Sequence, residues 1–337
     1  MSDAPGLKHC IHQDVLASES GLARSFQQGQ PFRHVVIDNF LHPDFCQRVC
    51  DGFPDFNKRL ALNEDGRVGG KAVNEKVRGL GPVFEQLDDL VQSAEFRAMV
   101  GRITGIDDLQ YDPYYYGGGT HENRQGQDLD PHIDFNYHPI SRQHRRLNLI
   151  VYLNPEWEDA WAGSLQLHRD PYREPHDDDI VTLTPRMNRC VIFETNEHSW
   201  HGFERIDLPV DRQSLSRKSF ALYYYTKTRP IEDTAIEHST VYVERHLPER
   251  FQAGMTLEEA DLAELKRLLQ RRDQHLKRLY RHNQLLHGRI NSGVPRPLVN
   301  MLSKKAHAFE ARTGLRVTRP MRAVWRRLRG RSGVSGE

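Results

Sequence analysis

The sequence is short of cysteine, of long apolar runs and of any excess of one charge, and each shortage excludes a class of protein. Four cysteines in 337 residues are too few and too scattered for a disulfide framework, and no CxxC pair indicates a zinc ribbon. No apolar run approaches the ~20 residues that cross a bilayer, and the first residues lack the basic start and apolar stretch of a signal peptide. With 47 basic against 46 acidic residues, bulk charge indicates no nucleic-acid partner. We therefore expect a cytoplasmic protein with reduced thiols.

Short β-rich runs separated by turn residues dominate the middle of the chain. A strand is predicted over residues 34–40, followed by a helix that begins at Pro43, because proline suits the first helical turn. Helical periodicity returns over 83–103. Seven further runs have strand character without intervening helices: 111–116, 132–137, 146–154, 164–168, 179–185, 189–195 and 219–226. Such a series predicts a β-sandwich or barrel with the early helices packed on its outside.

The stretch HIDFNYH, residues 132–138, offers three side chains that could hold a metal. Successive side chains of a strand point to opposite faces, so His132 and Asp134 share a face. His138 precedes a proline, where the strand is expected to turn away, and we assign it a supporting role. A third ligand would complete the two-histidine, one-carboxylate face that non-haem iron enzymes use.

Candidates for the third ligand lie in ETNEHSWHGF, which begins at the end of the apolar run 189–195. His198 and His201 both follow that run. His201 lies 69 residues after His132, which leaves room for the strands that fold a barrel back onto its first ligand strand. His198 is the competing assignment.

The segment SRKSFALYYYT, residues 216–226, places an arginine at the start of an apolar strand. Arg217 and Ser219 alternate onto one face of this strand, and an arginine that points into a core needs an anion. The planar guanidinium fork and a neighbouring hydroxyl suit a carboxylate. The sequence therefore predicts a carboxylate anchor on a strand next to the metal site.

Taken in order, HID, WHG and RKS before an apolar and aromatic strand resemble the motifs of Fe(II)/2-oxoglutarate-dependent dioxygenases, in particular the prolyl 4-hydroxylase-like oxygenases. VIDNFLHPDFCQRV before the core and RRLNLIVYLNPEWEDAWAGSLQLH between the ligands extend the resemblance over residues 32–230. It implies a double-stranded β-helix, or jelly roll, mainly β with flanking helices (α+β), with the metal at its open end. Prolyl 4-hydroxylases usually carry lysine about ten residues after the second histidine, where this chain has Asp211, so the resemblance does not specify a prolyl substrate.

The resemblance also implies a role for each candidate residue. His132, Asp134 and His201 would hold Fe(II), and Arg217 with Ser219 would bind the distal carboxylate of 2-oxoglutarate. A tyrosine often completes that pocket; we expect Tyr116, with Tyr114 and Tyr223 as alternatives. With O2 as co-substrate and ascorbate as reductant, such a site couples oxidative decarboxylation of 2-oxoglutarate to hydroxylation of a substrate.

The composition of the loops 117–130 and 155–178 does not distinguish a sugar, lipid, amino acid or peptide as the substrate. We favour a glycan or lipid-linked small molecule, since the basic C-terminal segment resembles those that end some bacterial glycan-assembly enzymes. A peptidyl proline is the enzymatic alternative. A jelly roll of cupin type that holds metal without turnover is the alternative of another class, but it would have no use for Arg217 and Ser219.

The C-terminal part of the chain has a different character. Leucines on a three-and-four repeat between residues 262 and 286 predict a long amphipathic helix, either docked on its own β-domain or paired in a dimeric coil. Residues 301–337 hold ten basic and two acidic side chains, and apolar residues at helical spacing among arginines over 316–331 suit an anionic membrane surface. We expect four parts: an N-terminal segment 1–31, the jelly-roll domain 32–230, a helical extension 231–290 and a basic tail 291–337.

Overall fold

Strands in two facing antiparallel sheets form the centre of the computed structural model, which describes residues 6–62 and 71–291. Within those residues the larger sheet has the order β1-β8-β5-β10-β3-β2 and the smaller one the order β11-β4-β9-β6-β7. The strands are β1 His34–Ile37, β2 Ala72–Asn74, β3 Gly119–Asn123, β4 Leu129–Ile133, β5 His144–Tyr152, β6 Leu165–His168, β7 Ile180–Leu183, β8 Cys190–Glu194, β9 Trp200–Phe203, β10 Arg217–Thr226 and β11 Val241–Tyr242. This is a jelly roll, and the predicted fold class is confirmed.

The α-helices described by the structure lie before β3 or after β11 in the chain. They are α1 Leu7–Cys10, α2 Gln13–Ala17, α3 Glu19–Gln28, α4 Pro43–Asp51, α5 Pro82–Gln92, α6 Ala94–Thr104 and α7 Glu259–Asn291. Among the described residues, contacts between Cα atoms separate residues 139–142 and 276–291 from the rest of the chain as a second unit. In the described part of the chain, no helix combines the length and apolar character needed to cross a membrane. The basic segment 316–331 lies outside the described residues.

The main hydrophobic core lies between the early helices and the outer face of the larger sheet. In the pairing of β10 with β5, Phe220 lies opposite Val151 and Leu222 opposite Leu149, and all four belong to this core. Because side chains alternate along each strand, the intervening residues face the interior of the jelly roll. The strand pattern that builds the core therefore also directs Arg217, Ser219 and Tyr223 to the opposite face.

An extra residue in β4 changes which side chains face inward. Leu129 pairs with Phe203 and His132 with His201, so three steps along β4 match two along β9, as in a β-bulge. The bulged backbone passes close to Gly202, where a Cβ atom would lie 2.6 Å from the carbonyl oxygen of Leu129. The glycine of the WHG motif is therefore required by this close approach.

One strand prediction was wrong. Residues 111–116 form no strand, because the carboxylate of Asp112 accepts hydrogen bonds from the backbone N–H groups of Tyr114 and Tyr116, at 2.9 and 2.8 Å, and folds the segment into turns. The helical periodicity predicted over 83–103 is confirmed and corresponds to two helices, α5 and α6. They are separated by Ser93, whose hydroxyl accepts from the N–H of Phe96 and caps α6.

Candidate active site

Three side chains converge between the sheets at the mouth of the jelly roll. One ligand atom each of His132, Asp134 and His201 lie within 4.8 Å of one another. The Nε2 atom of His132 is 3.9 Å from Oδ1 of Asp134, and the Nε2 atom of His201 is 3.6 Å from Oδ2. The two histidines come together because they are directly paired residues of β4 and β9. Asp134 follows at the end of β4, on the same face as His132.

Backbone carbonyls fix both imidazole rings in the orientation that a metal needs. The Nδ1 atom of His132 lies 2.9 Å from the carbonyl oxygen of Asp130, and that of His201 lies 2.9 Å from the carbonyl oxygen of Ser199. Each Nδ1–H therefore donates to the main chain, which leaves the Nε2 lone pair directed at Asp134. Burial lowers the pKa of His132 to about 3 and also lowers that of His201, so both rings are neutral and able to bind a cation.

Two side chains of β5 hold the Asp134 carboxylate. The guanidinium of Arg145, which is fully buried, lies 2.9 Å from Oδ2, and the amide of Asn148 donates to the same oxygen at 2.8 Å. Arg145 is in turn held between the rings of Phe135 and Tyr223. Burial alone would raise the pKa of Asp134, but Arg145 and the neighbouring polar groups lower it below its usual range. The third ligand is therefore an ionised carboxylate with a fixed orientation.

This donor set fits a divalent iron site. Two neutral imidazoles and one carboxylate on one side, with the other side open, are the donors of mononuclear non-haem Fe(II) oxygenases. His198 does not join them, because it is exposed in the turn before β9. His138 is buried but lies 3.2 Å from the carboxylate of Asp112, away from the three converging side chains.

A buried arginine faces the interior from the larger sheet, opposite the sheet that carries the two histidines, and not from a strand next to theirs as predicted. Arg217 donates from Nε to the carbonyl oxygen of Gly163 at 2.6 Å and from Nη2 to the hydroxyl of Tyr152 at 3.1 Å. It has no carboxylate partner among the residues that the structure describes. Burial lowers the pKa of Arg217, which is the expected sign of a cation without a counter-ion. A buried guanidinium at this position would be stabilised by an anion that binds from outside the chain.

The strand register surrounds Arg217 with polar groups. On β10, Ser219 lies directly opposite Tyr152 of β5 and opposite His121 of β3, and it is buried. Tyr116 is placed elsewhere, 44% exposed, with its ring against Phe135 and His138. The hydroxyl that reaches Arg217 belongs to Tyr152, which the sequence analysis had not considered.

Lys71, which precedes β2, is a further residue that the sequence analysis missed. Burial lowers its pKa to about 8, the charge of Asp134 opposes this shift, and the charges of Arg145 and Arg217 add to it. The ammonium group is therefore within electrostatic reach of both the metal ligands and the anion anchor. Together with Arg145 and Arg217 it surrounds the three ligands with an excess of positive charge that suits a negatively charged co-substrate.

Replacement of Lys71 by methionine is expected to stabilise the metal-free protein at pH 7 by up to about 3 kcal/mol. The folded pKa lies below the unfolded value, so the charged amine opposes folding below pH 8, and this cost disappears as the pH rises toward the unfolded pKa. Urea unfolding at pH 7 and pH 10 measures the effect. The difference in stability between wild type and variant should shrink at pH 10; equal stabilities at pH 7 would contradict the burial of this amine.

Fold and site together define the class of protein: a jelly roll with a two-histidine, one-carboxylate metal face. Residues 118–225 match the model of the 2OG-Fe(II) oxygenase superfamily. The superfamily uses Fe(II), 2-oxoglutarate and O2. The matched segment contains the three converging ligands, Arg217 and Tyr152.

Individual proteins resemble larger parts of the chain. Over 254 residues it is 26% identical to prolyl 3-hydroxylase OGFOD1 of Mus musculus, a match that covers 65% of this chain but only 40% of the relative. The chain therefore spans less than half the length of that relative.

Solved structures also resemble it. A prolyl hydroxylase from Trichoplax adhaerens, in complex with a peptide fragment of the hypoxia inducible factor oxygen degradation domain, superposes with a TM-score of 0.43 at 17% identity, over 63% of this chain and 93% of that one. A prolyl 4-hydroxylase from Phytophthora capsici gives 0.42 at 18% identity, over 80% and 79%.

Proposed function

We propose that the protein is an Fe(II)- and 2-oxoglutarate-dependent dioxygenase that hydroxylates an organic substrate. The observation that carries this proposal is the presence of two features in the interior between the sheets. His132, Asp134 and His201 form a three-ligand face on the smaller sheet. The buried guanidinium of Arg217, on β10 of the larger sheet, has no carboxylate partner among the residues that the structure describes. A protein that merely stored metal would gain nothing from a buried carboxylate anchor, which argues against the non-catalytic cupin-like alternative.

The metal-binding step depends on groups that are already in place. His132 and His201 offer neutral Nε2 lone pairs, because their Nδ1–H groups donate to backbone carbonyls. Asp134 supplies the negative charge, and Arg145 with Asn148 prevents its carboxylate from rotating. The bound iron, together with 2-oxoglutarate and O2, supplies the oxidising chemistry, with ascorbate as the proposed reductant.

The co-substrate is held by charge at its distal end. The guanidinium of Arg217 would pair with the distal carboxylate of 2-oxoglutarate, and the hydroxyls of Tyr152 and Ser219 would donate to it. Gly163 orients the guanidinium by accepting from Nε. Phe203 places its ring 4.3 Å from the guanidinium carbon, which excludes water and strengthens the ion pair.

For the substrate, a peptidyl proline is the first candidate to test. The similarity to a prolyl 3-hydroxylase, over 65% of this chain, supports it. A glycan or lipid-linked small molecule, which the C-terminal segment suggested, is the competing candidate. The excess positive charge contributed by Lys71 and Arg145 is compatible with either.

The C-terminal helix supports a proposal about assembly. Leu262, Leu269 and Leu276 recur at seven-residue spacing on α7 and are exposed, so a second copy of the chain is the proposed partner through 262–286. Attachment of residues 316–331 to an anionic membrane surface from the cytoplasmic side is a further proposal. Light scattering of the full chain and of a Leu269→Glu variant tests the dimer.

Succinate production tests the activity. With Fe(II), ascorbate, 2-oxoglutarate and air, the protein is expected to form succinate, and proline-containing peptides that are substrates should increase the rate and gain the mass of one oxygen atom. The His132→Ala variant is the control. Stimulation by glycans or lipid-linked sugars and not by peptides would assign the other substrate class. Absence of succinate under every condition would refute the dioxygenase proposal.

A further inference from the structure

A row of rings leads from the metal-binding face to the C-terminal helix. The ring of His201 lies 4.3 Å from that of His132, centroid to centroid, and His132 stacks on Tyr242 at 5.2 Å with an interplanar angle of 29°. Tyr242 stacks in turn on His275 at 4.8 Å and 22°. Tyr242 lies on β11, directly paired with His132 of β4, and His275 lies on α7. The His132 imidazole is therefore packed against a histidine on one side and a tyrosine on the other.

Buried carboxylates attach α7 to the strand that carries these rings. Arg267 donates to Asp128 at 2.6 Å, and Arg271 also pairs with Asp128, just before β4. The carboxylate of Asp128 is almost completely buried. Removing one partner of a buried ion pair strongly destabilises a protein. These ion pairs therefore hold the first half of α7 against β4.

Asp130 connects the same contacts to the metal ligand itself. Its carboxylate is approached by Arg245 at 3.2 Å, by Arg271 at 3.6 Å and by His275 at 3.5 Å. Its backbone carbonyl accepts the hydrogen bond from Nδ1 of His132. A displacement of α7 would therefore reach the His132 imidazole by two routes, the stacked rings and the backbone of Asp130.

We propose that Tyr242 and His275 are positioning residues of the metal site, and that α7 up to His275 is part of the framework that orients the His132 imidazole. Neither side chain belongs to the proposed ligand set; they restrict the tilt of a ligand through its ring face, whereas the carbonyl of Asp130 restricts its rotation. The inference rests on the proposed Fe(II) site. It gives the helical extension a role in metal binding that neither the family motif, which ends at residue 225, nor the leucine pattern indicates.

The test uses single variants of the full chain and metal binding rather than turnover. Tyr242→Ala and His275→Ala are expected to weaken Fe(II) binding about 10-fold, in the range for residues that support metal ligands. Tyr242→Phe keeps the stacked ring and should bind like wild type. His282→Ala is the matched control, since it removes an exposed histidine of the same helix one heptad further along. Anaerobic titration with Fe(II), in the presence of 2-oxoglutarate, gives the dissociation constants.

A second readout separates positioning from general destabilisation. In the Co(II)-loaded protein, the shifted proton resonances of the coordinating imidazoles should change in Tyr242→Ala and His275→Ala but not in Tyr242→Phe or His282→Ala, while thermal unfolding of the metal-free variants stays close to wild type. If Tyr242→Ala does not fold, Tyr242→Leu keeps the apolar volume without a ring and is expected to show the same weakening. Wild-type affinity and unchanged resonances in the alanine or leucine variants would overturn the inference alone. Failure of the wild-type chain to bind Fe(II) would overturn the proposed function and this inference with it.

Discussion

Replacement of His201 by alanine is expected to abolish the weak visible absorption that Fe(II) and 2-oxoglutarate produce together in the absence of air, and to weaken metal binding by more than about 100-fold. Loss of a residue that merely supports a ligand already costs about 10- to 100-fold, and His201 provides one of only three converging donors. Its ring is oriented by the carbonyl of Ser199, and among the described residues no further His, Cys, Asp or Glu joins the cluster. Anaerobic absorption titration and succinate formation in air measure the two losses.

His198→Ala is the matched control for this prediction. His198 lies three positions earlier on the same turn, is exposed, and was the competing ligand by sequence. Its removal should leave the absorption, the metal affinity and the succinate rate at wild-type values. The reverse pattern, with His198→Ala inactive and His201→Ala active, would show that the metal face is assembled differently from the geometry described here.

Replacement of Arg217 by alanine is expected to raise the dissociation constant of 2-oxoglutarate by about 100- to 1000-fold, because loss of one partner of a buried charge pair costs about 3–4 kcal/mol. Tyr152→Phe removes one hydroxyl donor and should raise it about 3- to 10-fold. Fe(II) affinity without 2-oxoglutarate should change little in either variant, since neither residue is a ligand. Isothermal titration of the Fe(II)-loaded protein under nitrogen separates the two affinities.

Two further substitutions test whether Arg217 is the residue that binds the distal carboxylate of 2-oxoglutarate. Arg212→Ala removes an exposed arginine that pairs with Glu156 on the surface, and it should leave 2-oxoglutarate binding unchanged. Arg217→Lys keeps the charge but loses the planar fork that meets both Gly163 and Tyr152, so we expect it to recover only part of the affinity. Wild-type affinity in Arg217→Ala would show that the co-substrate binds elsewhere, with Lys71 the next candidate.

Strand alternation explains why much of the site could be predicted from the sequence. A period of two fixes which residues of one strand share a face, so the pairs His132 with Asp134 and Arg217 with Ser219 follow from their spacing alone. The order of motifs then supplied the third ligand, because a jelly roll returns to its first ligand strand after several antiparallel crossings. His201 and His132 lie directly opposite each other in the structure.

Tyr152 and Lys71 illustrate what spacing cannot supply. Tyr152 is the last residue of an apolar strand, where an aromatic side chain normally packs in the core. Only the register of β5 against β10, which places it opposite Ser219, turns its hydroxyl toward Arg217. Lys71 lies before a short strand in a polar stretch of the sequence, and its proximity to Asp134 arises from long-range pairing of β2 with β3. Register between distant strands depends on tertiary packing, which a local pattern does not encode.

The wrong strand prediction at 111–116 and the unpredicted contacts of α7 have a similar origin. The aromatic run at 111–116 has high strand propensity, but the two oxygens of Asp112 offer its backbone a better arrangement than a sheet would. The contacts of α7 with β4 were left open by the sequence because Arg267 and Arg271 look like ordinary solvent-facing residues of an amphipathic helix until the buried Asp128 lies against them.

The extra residue in β4 has a consequence for the choice of metal ligands. With uninterrupted alternation, Asp130 would face inward beside His132, and a second carboxylate would compete for the cation and occupy a position that the co-substrate needs. The bulge instead directs Asp130 outward to Arg245 and Arg271. The bulge thus keeps the Asp130 carboxylate with the arginines, so that only three donors, His132, Asp134 and His201, face the metal.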